Sequence, residues 1–214
     1  MELFRPYAEA GREIVCFSIS AGMSTSGNVM RLAAEELGAS DRIKVIDSAN
    51  LSTGIGLLVV EAAIMAKNNR TASQIVSEIE KLKPNVRASF VVDTLTYLYR
   101  GGRCNAVAAM AGGVLKLHPR IVVENGVMNA SKKYRGKINS VIMDYVKDME
   151  KDLKNARPER VFITHSGCKQ ETVEKVRAYL EELDVFDEIL ETRAGGVISS
   201  HCGPGTLGVL YIAK

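Results

Sequence analysis

The stretch Ile14-Val15-Cys16-Phe17-Ser18-Ile19-Ser20-Ala21-Gly22-Met23-Ser24-Thr25-Ser26-Gly27-Asn28 decides the fold class of the first part of the chain. A short apolar run over 14–20 ends in a turn of small hydroxyl residues, and a helical pattern follows it. The same order returns at 44–47, another short apolar run, ahead of a helix predicted over 53–67. This second helix is apolar nearly all round, with Ile55, Leu57, Leu58, Val59, Val60, Ala62, Ala63 and Ile64, which predicts deep burial. Strand, helix, strand, helix predicts a parallel sheet under helical cover. A further helix is predicted over 72–82, closed by Pro84.

Beyond Pro84 the pattern changes. A strand is predicted over 89–93 and a short helix over 94–100, stopped by Gly101-Gly102. An uncharged helix over 106–115 follows, with Asn105 as its cap. Within residues 120–128, two extended runs meet at Asn125-Gly126, the strongest short hairpin signal. Helices over 137–153 and 170–183, with strands over 160–164, 188–192 and 206–213, complete the pattern. The expected fold class is α/β, with an N-terminal parallel α/β domain over residues 1–86. A C-terminal α+β domain with a mainly antiparallel sheet is expected over residues 87–214.

The 214 residues are 46% hydrophobic, enough for a sizeable buried core. The 28 basic and 25 acidic residues leave a net charge of +3, too small a surplus to point to nucleic acid. Gly, Glu or Lys interrupts every apolar run before the ~18 residues of a membrane span. Residues 1–12 include Arg5, Glu9 and Arg12 and lack the apolar centre of a signal peptide. Cys16, Cys104, Cys168 and Cys202 show neither CxxC pairing nor a disulfide-dense spacing, which favours reduced thiols and a cytoplasmic location. His165, Cys168, His201 and Cys202 match no zinc spacing, so no metal is expected.

Four segments can carry chemistry, and each also has a plain structural reading. The serine turn joins a strand C-terminus to a helix N-terminus, where open α/β sheets bind ligands and free N–H groups favour anions. Hydroxyls of Ser20 and Ser24 add donors there, although Ser24 or Ser26 can equally serve only as an N-cap. No Gly-Lys-Ser/Thr follows, so the turn is not a Walker A loop. Arg100-Gly101-Gly102-Arg103 places two guanidinium groups beside backbone that can approach a phosphate or carboxylate closely. The same residues also suit a helix end with two solvated arginines.

The third segment, residues 106–115, combines Ala108, Ala109, Ala111, Gly112 and Gly113 with the adaptable Met110 and ends at Leu115. A chain-like apolar ligand can lie close to such a backbone, and a filled core has the same composition. The fourth is Gly195-Gly196-Val197-Ile198-Ser199-Ser200-His201-Cys202-Gly203-Pro204-Gly205-Thr206-Leu207-Gly208, which sets His201 between two glycine-rich turns. Pro204 and Gly205 fit the second and third positions of a type II turn, and amide N–H groups beside His201 suit an oxyanion. A hydrolase reading takes Ser20 or Ser24 as nucleophile, His201 as base and Asp47 or Asp93 as orienter. The lack of a Gly-x-Ser-x-Gly elbow counts against it.

Taken together, several segments resemble the DegV family, in order and interval. They are Ser18 to Gly27, Val45-Ile46-Asp47-Ser48, residues 54–61, Val91-Val92-Asp93-Thr94-Leu95, Tyr97-Leu98-Tyr99-Arg100-Gly101-Gly102-Arg103, Arg135-Gly136-Lys137 and His201-Cys202-Gly203-Pro204-Gly205. The resemblance runs over nearly the whole chain. It implies a bacterial fatty-acid-binding protein of the cytoplasm that uses no cofactor and has only transient membrane contact. Its ligand would be one long-chain fatty acid, buried between two domains and held at its carboxylate by hydroxyl and histidine side chains. The resemblance puts Ser20, Ser24, His201 and Gly203 at the ligand and Ala108, Met110, Ala111 and Leu115 along the acyl tunnel. Arg100 and Arg103 fall on a surface facing the head group or a fatty-acid kinase. The protein itself would not be the enzyme; it would present the carboxylate to that kinase.

The sequence departs from the family pattern in three places. It starts at a helix well inside the usual sequence, so the first domain is expected to be truncated and to lack the Thr-Ser-Gln-Pro motif. Ser20-Ala21 replaces paired serines, and Met23-Ser24-Thr25-Ser26 stands where Leu-Ser-Gly-Thr is usual. Cys202 replaces the threonine commonly found after the histidine. Missing strands would leave an unpaired sheet edge, which invites a homodimer. Two other readings stay open: a phosphoryl-transfer or dihydroxyacetone-kinase-like subunit, and a truncated interaction module that binds no lipid.

Overall fold

The computed structural model describes residues 1–102 and 117–214. The helix predicted over 106–115 lies outside the described residues. The chain forms two compact units, Met1–Pro84 and Asn85–Lys214.

The first unit runs α1 (Arg5–Glu9), β1 (Ile14–Ser18), α2 (Ser26–Glu36), β2 (Ile43–Asp47), α3 (Ser52–Lys67) and α4 (Ala72–Leu82). β1 and β2 are parallel, with Ile14 opposite Ile43 and Ser18 opposite Asp47. Side chains alternate across a strand, and that alternation sorts the layers. Ile14, Cys16, Ile43 and Val45 pack with Ala8 of α1, Ala34 of α2 and Ala39 in the loop after it. Val15 and Phe17 point the other way and line a groove with Val59, Ala62 and Ile75. α4 starts where its sequence says it should, because Thr71 and Gln74 form a reciprocal capping box.

α3 departs from expectation. Only Gly54, Leu57, Leu58 and Ala62 are buried, while Val59 and Ile64 are each 41% exposed. The two described strands of this unit present less apolar surface than a helix apolar all round would need for full burial.

A 3₁₀ turn over Lys83–Asn85 ends the helical run at Pro84, which has no N–H to continue it. The second unit comprises β3 (Val86–Val91), α5 (Thr96–Gly101), β4 (Leu117–Glu124), β5 (Val127–Arg135), α6 (Ile138–Asp148), α7 (Glu150–Lys154), β6 (Ala156–Ser166), α8 (Gln170–Glu182), β7 (Ile189–Arg193), α9 (Gly196–Cys202) and β8 (Thr206–Ala213). Its six strands lie in the order β5-β4-β3-β8-β6-β7. All neighbours are antiparallel except β6 and β7, which α8 connects in parallel. The expected fold class is thus present, a parallel sheet in one unit and a mainly antiparallel sheet in the other.

The hairpin turn has Asn125 at φ 52° and Gly126 at φ 77°, the two positive values a type I′ turn demands. The helix predicted over 137–153 is divided at the buried Met149 into α6 and α7. β8 sits between β3 and β6, which explains why Thr206 to Ile212 are all buried.

One face of this sheet carries Val161, Ile163, Leu207 and Val209, packed against Val141, Ile142 and Val146 of α6 and Val173, Val176 and Leu180 of α8. Each fully buried side chain of this kind contributes roughly 1.5–3 kcal/mol. Tyr145 sits among them with its polar tip satisfied. Its hydroxyl donates to the Ser89 carbonyl at 2.8 Å and accepts from the Val209 N–H at 3.0 Å. Among the described residues, no helix is long and apolar enough to cross a membrane.

Candidate functional site

In the first unit, the C-terminal ends of both parallel strands run into loops that hold each other. The Ser48 N–H donates to the Ser18 carbonyl at 3.2 Å and the Ser20 N–H to the Asn50 carbonyl at 2.9 Å. The Asp47 carboxylate ties the two loops together, accepting from Ala49 N–H at 2.9 Å and from Ala21 N–H at 3.3 Å. This aspartate is thus occupied by backbone donors.

Ser20 is buried, and its Oγ accepts from the Gly22 N–H at 3.1 Å. Its carbonyl accepts from Met23 at 2.9 Å and Ser24 at 3.1 Å, which closes the turn. Ser24 Oγ lies 2.7 Å from Ser26 Oγ and accepts from the Ser26 N–H at 3.2 Å. The N-cap of α2 is Thr25, which makes no side-chain capping bond, and Ser24 just ahead of it receives the first N–H of the helix and keeps its hydroxyl at that end. Sequence reasoning passed over Ser18, whose Oγ is buried without a hydrogen-bond partner. Its signal was a serine closing an otherwise apolar strand.

In the second unit, the stretch expected as glycine-rich turns folds partly as a helix. The Ser199 N–H donates to the Gly195 carbonyl at 2.9 Å, and the Gly203 N–H to the Ser199 carbonyl at 2.8 Å, giving α9. Six non-glycine residues between the glycines, over 197–202, suffice for about two turns of i→i−4 bonds. His201 lies in the last turn, and the chain then reverses through Gly203 at φ 79° and Gly205 at φ 76°. Pro204-Gly205 behaves as the turn rule requires, and the Gly205 N–H donates to the Ser166 carbonyl at 2.7 Å.

α5 packs directly on α9. The imidazole of His201 lies against the bare Cα of Gly101, and the ring of Tyr97 lies against Gly203. A Cβ at either glycine would run into the facing ring. These contacts fix the position of a half-buried imidazole that makes no hydrogen bond or ion pair with any described residue. Arg100, exposed in the last turn of α5, is adjacent to the glycine that meets the ring. The contacts of Gly101 and Tyr97 with α9 were not legible from sequence, where Gly101 read as a helix stop or as backbone that an anion can approach closely.

Ser20 and Ser24 thus share one turn of the first unit, while His201, Gly203 and Arg100 share the α5 and α9 pair of the second. Arg103, Ala108, Met110, Ala111 and Leu115 lie outside the described residues. Asp93 sits 3.6 Å from His118 Nδ1, and Asp47 is held by backbone N–H groups, so each of these carboxylates has another partner within its own unit. Burial pushes the Cys202 thiol up to about 12 and the Cys168 thiol up to about 11, which keeps both protonated and unreactive near neutrality. Among the described residues no three His, Cys, Asp or Glu side chains converge as metal ligands. Each local arrangement suits an oxyanion: hydroxyls at a helix N-terminus in one unit, and in the other an imidazole with no partner among the described residues, beside a glycine-rich reversal.

A parallel α/β unit with a hydroxyl-rich strand end, followed by a mainly antiparallel unit ending in a His-x-Gly-Pro-Gly reversal, defines the class. The family model described as "uncharacterised protein, DegV family" matches residues 1–214. The chain belongs to the DegV family.

It is 33% identical to a DegV domain-containing protein of Clostridium perfringens over 216 residues, covering 99% of this chain and 74% of that protein. Among solved structures, it resembles a DegV family protein of Thermus thermophilus described by its fatty acid binding. That match has a TM-score of 0.86 and 26% identity, over 100% of this chain and 75% of the other. It also resembles DegV of Bacillus subtilis, described as a fatty acid binding protein, with a TM-score of 0.79 and 28% identity, over 100% and 76% of the two chains.

Proposed function

We propose that this protein binds a long-chain fatty acid and is not itself an enzyme. The observation that carries this reading is its likeness, over its whole length, to two structures described as fatty-acid-binding proteins. The local geometry supports it. A carboxylate leaving water needs several donors, and charge-assisted hydrogen bonds are the strong ones. We assign Ser20, Ser24, His201 and Gly203 to the ligand. Ala108, Met110, Ala111 and Leu115 are assigned to the acyl chain, whose burial supplies roughly 0.8 kcal/mol per CH₂.

The decisive experiment is solvent extraction of protein purified without added lipid, followed by mass analysis. A co-purified fatty acid, or uptake of one added in solution and seen by native mass spectrometry, is the expected result. A bare polypeptide mass with no uptake rejects the proposal.

The finer reading is that the bound acid is presented to a fatty-acid kinase in the cytoplasm, with Arg100 and Arg103 on the partner surface. Arg103→Ala should then keep the acyl ligand and lower kinase turnover several-fold. Unchanged turnover removes the partner role.

A further inference from the structure

A second polar site lies on the helix-covered side of the six-stranded sheet. Between Arg120 and Ile121 the β4–β5 register shifts: Arg120 pairs with Lys132 and Ile121 with Ala130, leaving Ser131 as an extra residue on β5. The Ser131 hydroxyl donates to the Arg120 carbonyl at 3.3 Å and steadies the irregularity. Bulges re-aim side chains and recur beside binding sites. Here the guanidinium carbon of Arg120 stands 5.7 Å from the centroid of the buried Tyr145 ring, a cation–π contact that fixes where the charge sits.

The Nε of Arg120 is buried and has no hydrogen-bond partner. The Asp148 carboxylate feels the charge of Arg120 but forms its hydrogen bonds with Lys132 and with the Tyr134 hydroxyl, the latter at 2.8 Å. Leaving a buried charged donor unpaired costs more than the 1–3 kcal/mol typical of a neutral group, so a structure seldom keeps one without a use. Arg120 opens on a pocket of about 400 Å³ whose lining includes Arg87, Lys214 and the amide of Asn155. Glu124 and Asp152 line it as well, so the side chains of Arg87, Arg120 and Lys214 share the pocket with two carboxylate side chains. A water occupies about 30 Å³, so the space admits a molecule well beyond a single ion.

We infer that this pocket is a binding site for a small oxyanion-bearing molecule, phosphate or carboxylate, received by the fork of Arg120 with Arg87 and Lys214 around it. A planar guanidinium with several donors in fixed geometry matches that chemistry. The site is independent of the fatty-acid reading, and its test does not depend on lipid.

The test is calorimetric titration at low salt with inorganic phosphate, pyrophosphate and citrate as probes. At least one should bind saturably at one site per chain, and Arg120→Gln should weaken it at least tenfold. Binding of the phosphates alone identifies a phosphate ligand, and binding of citrate alone a carboxylate. If Arg120→Gln fails to fold, Arg120→Lys and Arg87→Gln carry the test, each expected to weaken binding several-fold. Protein loaded with fatty acid should bind the probe with the same affinity, which separates this pocket from the lipid head group. No saturable binding by any probe, wild-type affinity in the variants, or competition by fatty acid overturns the inference.

Discussion

Gly101 and His201 touch: a Cβ added at residue 101 would lie 2.9 Å from Cε1 of the imidazole and closer still to Nδ1. The bare backbone of α5 is therefore the wall that sets where the His201 ring stands. Gly101→Ala should displace the ring without unfolding the unit, because alanine is a better helix residue than glycine. We expect acyl affinity to fall about tenfold, the worth of one hydrogen bond to a charged group. Displacement of a fluorescent fatty acid measures it; wild-type affinity would show that this contact does not position a ligand-binding histidine.

His201→Ala removes the donor itself and should weaken acyl retention by at least the same factor, about tenfold. His201→Gln, which keeps a donor on a shorter planar side chain, should recover part of the loss. Equal retention in the wild type and His201→Ala would sink the head-group role.

Ser20 acts on the turn as well as on any ligand. Ser20→Ala deprives the exposed Gly22 N–H of its acceptor in a part-buried turn, at a cost of about 1 kcal/mol in urea denaturation. Acyl affinity should drop in the same variant. A loss of stability with unchanged acyl binding would make Ser20 purely structural.

Tyr145→Phe tests the core away from the lipid residues. Removing the hydroxyl takes an acceptor from the Val209 N–H and leaves the Ser89 hydroxyl, which lies 3.0 Å from it, with only the Met149 sulfur at 3.6 Å. The expected destabilisation is about 1–3 kcal/mol. Acyl content of the folded variant should be unchanged, and a midpoint equal to the wild type would contradict the network described.

Burial raises the thiols of Cys202 and Cys168 in the folded protein to about 12 and about 11, against an ordinary value of 9.0. At mildly alkaline pH both stay protonated, so reaction with a disulfide reagent should be much slower in native than in denatured protein. Between those values the unfolded chain ionises while the folded chain does not. Their contribution to stability is therefore present below about 9 and is lost as the pH rises toward about 12. The urea midpoint should decline over that range, and less steeply in Cys202→Ala.

Local rules made several elements readable in advance. Asn125-Gly126 placed the hairpin because only such residues accept two positive φ values in succession. The strand predicted over 206–213 is present over those residues, since an unbroken apolar run suits a strand buried on both faces. The order of strands and helices led to the two sheet types for the same reason. The family-specific segments pointed to the serine turn and to His201, whose positions here lie at a strand end and a helix end.

Other features depend on residues far apart in sequence, where no local pattern carries a signal. The folding of residues 196–202 into a short helix, the partial exposure of α3 and the division at Met149 were settled by what each segment packs against. The contact of Gly101 with His201 and the bonds of Tyr145 to Ser89 and Val209 arise only when the sheet brings distant strands and helices together. The unpaired Nε of Arg120 is of the same kind. Composition and periodicity determined which segments become strands and helices, because backbone preference and alternation are local properties. Which side chains meet, and which polar atom is left without a partner, only the tertiary structure decided, because burial and hydrogen-bond satisfaction belong to the packed whole.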